Sequence, residues 1–292
     1  ALAIFDDYRE LYGTQFRWTT NPKTGSWKKV KSGPAGYVSP HDWLPDAPVG
    51  DGWEFVFHGG DKKTDATDVA FYASGEPFYG VRDHDMSIVT CRFPIEDVVP
   101  RRFSLPTLLA KWCGLLRPWH GRLGFSVGRS FGYEDGCLSR LTETELLLRY
   151  PGLQFCNLSE GLYMPARRKK DIRAGLYDGP RCADWIIVLS DHFVDKLGGA
   201  LVVRNTMAPL QVYEYSGGLI LQADEIPQMG NYGEPENGLP EYAHLARIIE
   251  PVRARDLQHG LAQPDSTEAD GCSTSQDVTD RWCARFSPKT AP

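Results

Sequence analysis

The chain has 292 residues, of which 41% are hydrophobic and 24% are charged, and its formal net charge is −6. This composition is typical of a globular protein with a sizeable core. The acidic balance argues against a nucleic-acid-binding protein, which normally carries a basic surface. The sequence contains no apolar run of 18 residues, so we expect no membrane-spanning helix and no membrane partner.

The seven cysteines are scattered at wide spacings without a Cys-x-x-Cys motif. This pattern predicts reduced thiols in the cytoplasm rather than a disulfide framework or a zinc knuckle. A bond between Cys272 and Cys283 stays open as an alternative. The first residues carry neither a basic stretch nor a long apolar run, so they do not resemble a signal peptide.

The first third of the chain predicts one helix, one long loop and three strands. Apolar residues at helical spacing place a helix at 4–12. Glycines, prolines and lysines predict a long polar loop over 19–52. Alternating apolar residues predict strands at 53–58, 69–72 and 87–93.

The middle of the chain predicts two helices and a short strand between them. Ser104 is a predicted N-cap for a helix whose leucines and Trp112 share one face, and Pro118 ends it. A strand interrupted by glycines follows at 122–128. Thr142 and Glu145 match a capping box at the start of the next helix.

Residues 185–223 give the clearest pattern in the sequence. The apolar run at 185–189 predicts a buried strand, and Ser190 and Gly198 are predicted to begin and end the following helix. A hairpin is predicted around the Ser216–Gly218 turn. A last core helix is predicted to begin at Pro240.

These elements predict an α+β protein with a mixed, largely antiparallel sheet and helices packed on it. A faint duplication of 87–127 by 185–223 suggests two similar β-α-β halves. We expect a single domain over 1–256. Residues 257–292 would form an acidic C-terminal extension with a short docking segment, because residues 258–280 lack Lys and Arg whereas Trp282 and Phe286 are spaced for docking.

The catalytic patterns in the sequence are weak. Gly124–Gly128 matches the Gly-x-Ser-x-Gly elbow around Ser126, but no helical pattern follows it as an elbow requires. His84 lies between two aspartates, yet adjacent side chains diverge and do not form a metal site. We therefore assign no catalytic, cofactor-binding or metal-binding residues. A hydrolase that uses Ser126 or a site centred on His84 remains an alternative.

Histidines at three other positions are candidate bases: His58, His120 and His192. A single histidine near the end of a strand or helix is more often a hydrogen-bonded structural residue. We interpret all three in this way.

Residues 224–241 differ in kind from the rest of the surface, because they carry five carboxylates and no Lys or Arg. Apolar and aromatic residues lie among these charges, which favours a surface that recognises another protein. A solvated acidic turn is the alternative. The predicted partner-binding residues are Asp224, Glu225, Met229, Tyr232, Glu234 and Glu236.

Several short motifs, in order, resemble the type VI immunity family, bacterial proteins long described as a domain of unknown function. The motifs are Pro118–Phe125, Arg149–Leu153, Asp184–Leu189, Lys196–Gly199, Gly217–Ala223 and Ile249–Arg253. The resemblance covers about residues 4–256, and the loop after Ala223 departs from the family pattern. The family pattern contains no catalytic residues, so none are transferred.

The resemblance implies a cytoplasmic antitoxin that binds and neutralises a cognate type VI secretion effector, often a nuclease. An acidic, partly apolar loop would suit the basic groove of a nuclease. The expected protein is not an enzyme, needs no cofactor and does not bind nucleic acid directly. Besides the hydrolase, a structural subunit of a secretion apparatus remains an alternative.

Overall fold

A computed structural model describes residues 1–30, 39–47, 52–76, 86–99, 102–128, 130, 137–155, 179–232, 239–254, 261–264 and 273–286. The contacts group these residues into two compact units. The first unit comprises the described residues up to Val99 together with Gly128 and Ser130, and the second comprises the others. No helix in the described part is long and apolar enough to cross a membrane.

The helices and strands are named here in chain order. The helices are α1 (Leu2–Tyr12), α2 (Pro40–Trp43), α3 (Ile95–Val98), α4 (Leu105–Leu116), α5 (Cys137–Arg149), α6 (Asp191–Lys196), α7 (Ala200–Met207), α8 (Pro240–Ile249) and α9 (Gln276–Cys283). The strands are β1 (Trp18–Thr20), β2 (Trp27–Lys29), β3 (Trp53–His58), β4 (Ala70–Glu76), β5 (Met86–Arg92), β6 (His120–Leu123), β7 (Phe125–Ser126), β8 (Leu153–Gln154), β9 (Ile186–Ser190), β10 (Gln211–Tyr215) and β11 (Gly218–Gln222).

The first unit consists of α1 packed on an antiparallel sheet of order β2-β1-β3-β4-β5. Its core is aromatic. The ring of Phe5 contacts the rings of Phe55, Phe57 and Phe71, with centroids 4.8–5.6 Å apart. Aromatic pairs at such distances add to the stabilisation from buried area, so α1 is held firmly on β3 and β4.

Tyr8 connects α1 to the sheet through its hydroxyl as well as its ring. The hydroxyl accepts a hydrogen bond from the backbone N–H of Ala70, at 3.1 Å, and donates one to the carbonyl of Arg92. Burial raises the pKa of Tyr8 far above its usual value, so the phenol stays neutral. The two hydrogen bonds satisfy the N–H at the start of β4 and the carbonyl at the end of β5, which would otherwise be buried without a partner.

The second unit is built on an antiparallel sheet of order β10-β11-β9-β6. Residues 186–189 of the central strand β9 are all at most 1% exposed, which explains their continuous apolar sequence. Helix α4 packs against β10, and α6 packs against β9 and β11. A separate pair, β7 and β8, is parallel.

The described C-terminal residues belong to a hydrophobic cluster of the second unit. Val278, Trp282 and Cys283 of α9 pack with Leu147 of α5 and Phe155, among others.

Hydrogen bonds also hold this C-terminal part. Ser275 caps α9 by accepting a hydrogen bond from the N–H of Val278, at 3.3 Å. Thr279 and Thr144 accept hydrogen bonds from the N–H groups of Leu261 and Ala262. The domain division at residue 256 stays a prediction.

The α+β class and the largely antiparallel sheets are confirmed. Most of the predicted elements are present within a few residues of their expected bounds, including α1, β3 to β5, α4, β9 and α8. Ser104 caps α4 as expected. The Ser216–Gly218 turn also joins a hairpin as expected, with a φ of 124° at Gly217 that favours glycine.

Local predictions were wrong in three places. Thr142 does not cap a helix, because α5 already begins at Cys137. The segment 19–52 is not a continuous loop, since it contains the last residues of β1, all of β2 and α2. Helix α7 at Ala200–Met207 was not predicted, because only Val203 and Met207 of this short helix are buried.

Ser190 occupies the N-cap position of α6, but its side chain makes no capping hydrogen bond. Instead, the N–H of Asp191 donates to the carbonyl of Gly217 at 2.8 Å, so the hairpin turn satisfies the start of the helix.

The two suggested β-α-β halves do not share a topology. Strands β5 and β6, which would flank the first half, lie in different sheets, whereas β9 and β11 are neighbours in one sheet. The apparent repeat therefore reflects a similar order of elements in the sequence and not a structural duplication.

The close approach of β11 to β9 gives a test of the second sheet. A Cβ atom at Gly218 would lie 2.0 Å from the carbonyl oxygen of Leu189, whereas one at Gly114 of α4 would meet nothing within 4 Å. We expect Gly218→Ala to lower the free energy of unfolding by about 2 kcal/mol or more. Gly114→Ala should raise it by about 0.5–1 kcal/mol through helix propensity. Urea denaturation of both variants would measure this, and equal midpoints would contradict the pairing.

Candidate partner-binding site

The predicted acidic surface begins where β11 ends, and the structure describes it as far as Tyr232. We call residues 224–232 the contact loop. The indole N–H of Trp185 and the side-chain amide of Gln222 both donate to the carbonyl of Asp224, each at 2.6 Å. The loop therefore leaves the sheet in a defined direction, since one carbonyl oxygen is held by two side chains of the scaffold.

The two described carboxylates of the contact loop have different environments. The carboxylate of half-buried Asp224 accepts a hydrogen bond from the backbone N–H of Glu225, at 2.6 Å, and so shapes the turn. Glu225 is exposed. Glu225 is thus better placed than Asp224 to meet a partner.

The centre of the contact loop is fixed by Tyr242 of α8. Its buried hydroxyl accepts a hydrogen bond from the N–H of Gln228 at 2.9 Å and lies 3.4 Å from the carbonyl oxygen of the same residue. Burial raises the pKa of Tyr242 above its usual value, so the hydroxyl keeps its proton. One side chain of the core therefore holds both backbone polar groups of Gln228.

The end of helix α5 holds the next part of the contact loop. The N–H of Gly152 donates to the carbonyl of Met229 at 2.7 Å, and the N–H of Tyr232 donates to the carbonyl of Arg149 at 3.1 Å. A Cβ atom at Gly152 would lie 1.8 Å from the carbonyl oxygen of Gln228, so only glycine allows this approach. Gly230 has a φ of 63°, which lets the chain turn between the two contacts.

The fixed backbone exposes large apolar side chains. Met229 is 39% exposed and Tyr232 is 52% exposed, while Leu148, beside Arg149 at the end of α5, is 37% exposed. Methionine and tyrosine are enriched at protein interfaces, where they provide contact area. Glu234 and Glu236, the remaining predicted partner-binding residues, lie outside the described residues.

Arg285 supports the base of the contact loop from the interior. Its guanidinium donates hydrogen bonds to the carbonyls of Pro151, at 2.6 Å, and Ala183, at 2.9 Å, and pairs with the buried carboxylate of Asp184 at 3.2 Å. The rings of Trp282 and Phe286 lie against it, at 4.0 and 4.6 Å.

The same turn joins Arg285 to the contact loop. Arg285 bonds the carbonyl of Pro151, and the next residue, Gly152, bonds the carbonyl of Met229.

Two cysteines lie in the same buried region. Cys182 and Cys283 belong to the same buried hydrophobic cluster, and Arg285 donates a hydrogen bond to the carbonyl of Ala183, next to Cys182. Burial alone would raise the pKa of Cys182, but the Cys283 hydrogen bond and the charges of Arg285 and Arg122 bring it well below the usual value. The hydrogen bond to Cys182 and burial raise the pKa of Cys283. Cys272, which the sequence leaves open as a disulfide partner of Cys283, lies outside the described residues.

A family model described as type VI immunity for VRR-NUC, named TsiV, matches residues 2–286. The chain belongs to the TsiV family. The match extends beyond residue 256, where the resemblance in the sequence motifs ends, and includes α9 and Arg285. The resemblance of the sequence motifs to the type VI immunity family is thereby confirmed.

The fold of this TsiV-family chain is also found in a solved structure. The structure is described as the T6SS protein PA0821 of Pseudomonas aeruginosa, with a TM-score of 0.78 and 18% sequence identity. The alignment covers 99% of this chain and 78% of the other. At this identity the likeness shows the fold alone. No curated protein matches the sequence.

The catalytic alternatives gain no support from the geometry of this TsiV-family chain. Ser126 lies on the two-residue strand β7, and the described residues immediately after it are not helical, so the strand–turn–helix elbow is not formed. His84 lies outside the described residues. Within the described ranges, no group of three His, Cys, Asp or Glu side chains is arranged to hold a metal ion.

The histidines have structural contacts. His58 is 1% exposed, and its Nδ1 accepts a hydrogen bond from the N–H of Gly60 at 3.2 Å. Burial, together with the charge of Arg92, lowers its pKa from 6.5 to about 4. His192 is exposed and stacks on the ring of Trp119, with centroids 4.5 Å apart.

The sequence did not single out the residues that support the contact loop. Tyr242 lies within the core helix that the sequence predicts from Pro240, and Gly152 lies within the Arg149–Leu153 motif, but neither pattern indicates a contact with residues 224–232. Arg285 had one local signal, its position between the two aromatic residues Trp282 and Phe286. Their common role depends on contacts between residues that are distant in the chain.

Removal of the Tyr242 hydroxyl should loosen the contact loop without removing the ring from the core. We expect Tyr242→Phe to lower the free energy of unfolding by about 1–2 kcal/mol, because the N–H of Gln228 loses its acceptor. Hydrogen exchange of the Gln228 amide should become faster. Tyr213→Phe is the control, since its hydroxyl bonds the exposed side chain of Gln211. Unchanged exchange at Gln228 would argue against this anchor.

His58 should make the protein acid-sensitive. The unfolded chain binds a proton near pH 6.5, whereas folded His58 does so only near pH 4. Stability should therefore fall as the pH drops between these values, by about 2 kcal/mol. His58→Gln should flatten this part of the curve. The measurement is the free energy of unfolding from urea titrations between pH 4 and 7.5, and an equally steep loss in His58→Gln would contradict the assignment.

Proposed function

We propose that this protein neutralises a VRR-NUC effector by binding it through the contact loop, without catalysing a reaction. The observation that carries the proposal is the exposure of Met229 and Tyr232 on a backbone held from both sides by the scaffold. Family membership supports the immunity role and the class of effector. The contact loop is the surface through which the protein would bind the effector.

The rigid backbone favours binding because it reduces the entropy lost when the complex forms. Trp185, Tyr242 and Gly152 hold the loop through hydrogen bonds to its backbone, which leaves the side chains of Met229 and Tyr232 available. Large side chains that are half exposed in the free protein gain most when a partner covers them completely. Met229 and Tyr232 would therefore contribute most of the binding energy.

The charge of the protein would guide the encounter. A nuclease binds phosphates and therefore has a basic groove, whereas this chain has a formal net charge of −6. Glu225 is exposed beside the apolar residues, and Glu234 and Glu236 continue the acidic sequence. Complementary charge accelerates association and selects the partner, while the apolar residues slow dissociation. We place this encounter in the cytoplasm.

The proposal predicts that the apolar residues control the dissociation rate and the carboxylates control the association rate. Met229→Ala and Tyr232→Ala should each weaken effector binding by roughly tenfold or more, mainly through faster dissociation. Changing Glu225, Glu234 and Glu236 together to Lys should slow association, most strongly at low salt. Surface plasmon resonance with the purified effector, and DNA cleavage at increasing inhibitor concentration, would measure both effects.

Leu201→Ala is the matched control, because Leu201 of α7 is 72% exposed and lies outside the contact loop. Each variant should unfold at the wild-type temperature. If the effector co-purifies with the protein but all contact-loop variants bind normally, the immunity role stands and this interface is wrong. If the wild-type protein neither binds nor inhibits a VRR-NUC effector encoded beside it, the role itself is contradicted.

A further inference from the structure

Cys182 and Cys283 meet in the core of the second unit although they are far apart in the sequence. Cys182 lies just before β9 and Cys283 is the last residue of α9. Arg285, two residues after Cys283, donates hydrogen bonds to the carbonyl of Ala183 and to the carboxylate of Asp184, which follow Cys182, so the two chain segments are held side by side. The two cysteines are 2% and 6% exposed. Both belong to the hydrophobic cluster that joins α9 to the rest of the unit. The effector-binding role of the contact loop makes no use of these thiols.

The surroundings of the pair give the two sulfurs different chemistry. Burial acts to raise the pKa of Cys182, but the neighbouring Cys283 thiol and the positive charges of Arg285 and Arg122 bring it well below its usual value. The pKa of Cys283 is raised. A sulfur with thiolate character beside a protonated thiol is the arrangement of an attacking and a resolving cysteine. The buried guanidinium of Arg285, bonded to Ala183 and Asp184 next to Cys182, distinguishes this pair from ordinary buried cysteines.

We propose that Cys182 and Cys283 form a reversible disulfide bond when the protein meets a hydroperoxide oxidant, and that this bond locks α9 onto the base of β9. The inference goes beyond effector binding and does not depend on it. The bond would close a loop that contains most of the second unit, including the contact loop.

The reaction balances with hydrogen peroxide as the oxidant. The Cys182 thiolate attacks one peroxide oxygen, the O–O bond breaks, and the departing hydroxide takes up a proton to form water. Cys182 is then a sulfenic acid. The sulfur of Cys283 attacks the sulfenic sulfur, the S–S bond forms, and the hydroxyl leaves as the second water together with the thiol proton. Two thiols have lost two electrons, and one peroxide has gained them.

The oxidant would reach Cys182 by local opening of α9. This helix has only eight residues, and local unfolding of a short helix costs less than global unfolding. Opening of α9 that leaves Arg285 bonded to Ala183 and Asp184 exposes the Cys182 sulfur beside this guanidinium, and return of the helix brings Cys283 back to it. The aromatic contacts of Arg285 with Trp282 and Phe286 favour this return.

The bond would act on the same segment that supports the contact loop. Arg285 lies two residues after Cys283 and bonds the carbonyls of Pro151 and Ala183. A covalent link at Cys283 would keep α9 close to β9 and so keep Arg285 near Asp184. The oxidised protein would retain its folded second unit under conditions that release α9 from the reduced protein.

The test is peptide mapping of the full chain after treatment with hydrogen peroxide. Remaining thiols are alkylated in denaturant, and the protein is digested with trypsin without reduction. We expect a linked pair of peptides, residues 182–196 with 282–285, that separates on reduction. We also expect the thermal midpoint to rise by about 5–10 °C on oxidation and to return after reduction, because the bond limits the unfolded chain.

Variants separate this pair from the five other cysteines. Cys182→Ser and Cys283→Ser should each abolish the linked peptides and the thermal shift, whereas Cys113→Ser should retain both. Mapping of the wild-type protein decides the pairing even if a serine variant fails to fold. Alkylated Cys283 after peroxide treatment, or Cys283 linked to another cysteine, would overturn the proposal. The expected link without a thermal shift would overturn the locking role.

Discussion

The buried ion pair of Arg285 and Asp184 is the interaction on which the second unit depends most. Asp184 is fully buried and the Arg285 side chain is 1% exposed, so neither charge is screened by water. Arg285 also donates to the carbonyls of Pro151, Ala183 and Trp282, which satisfies its N–H groups. Arg122 also lies 3.8 Å from Asp184, whereas loss of Asp184 would leave the buried charge of Arg285 without a carboxylate, which typically costs about 3–5 kcal/mol. The residues just before β9, the turn that follows α5 and helix α9 are thereby held together.

A second consequence of this arrangement is the rigidity of the contact loop. The α5 turn, which Arg285 holds at Pro151, in turn holds Met229 through Gly152. Tyr242 and Trp185 hold other parts of the same loop through hydrogen bonds to its backbone. A surface of large, half-exposed side chains is effective in recognition when the backbone beneath it does not have to be ordered on binding.

Three titratable groups of the interior, Tyr8, Tyr242 and His58, are used for structure. Tyr8 and Tyr242 keep their protons and hold backbone groups, and neutral His58 accepts a hydrogen bond from Gly60. Each has a pKa shifted mainly by burial, which also occurs at active sites. Their contacts are with the backbone of the protein, so these groups stabilise the fold.

The sequence by itself determined the α+β class, the long helices and the central strand β9, because these depend on the local spacing of apolar residues and on turn residues such as Gly217. It also indicated the acidic, partly apolar segment at 224–241 and the type VI immunity family. Only the tertiary structure showed α7, the role of Gly152, the Arg285–Asp184 pair and the meeting of Cys182 with Cys283. These features join residues that are distant in the chain, and a local pattern contains no information about which distant residues will meet when the sheets and helices pack.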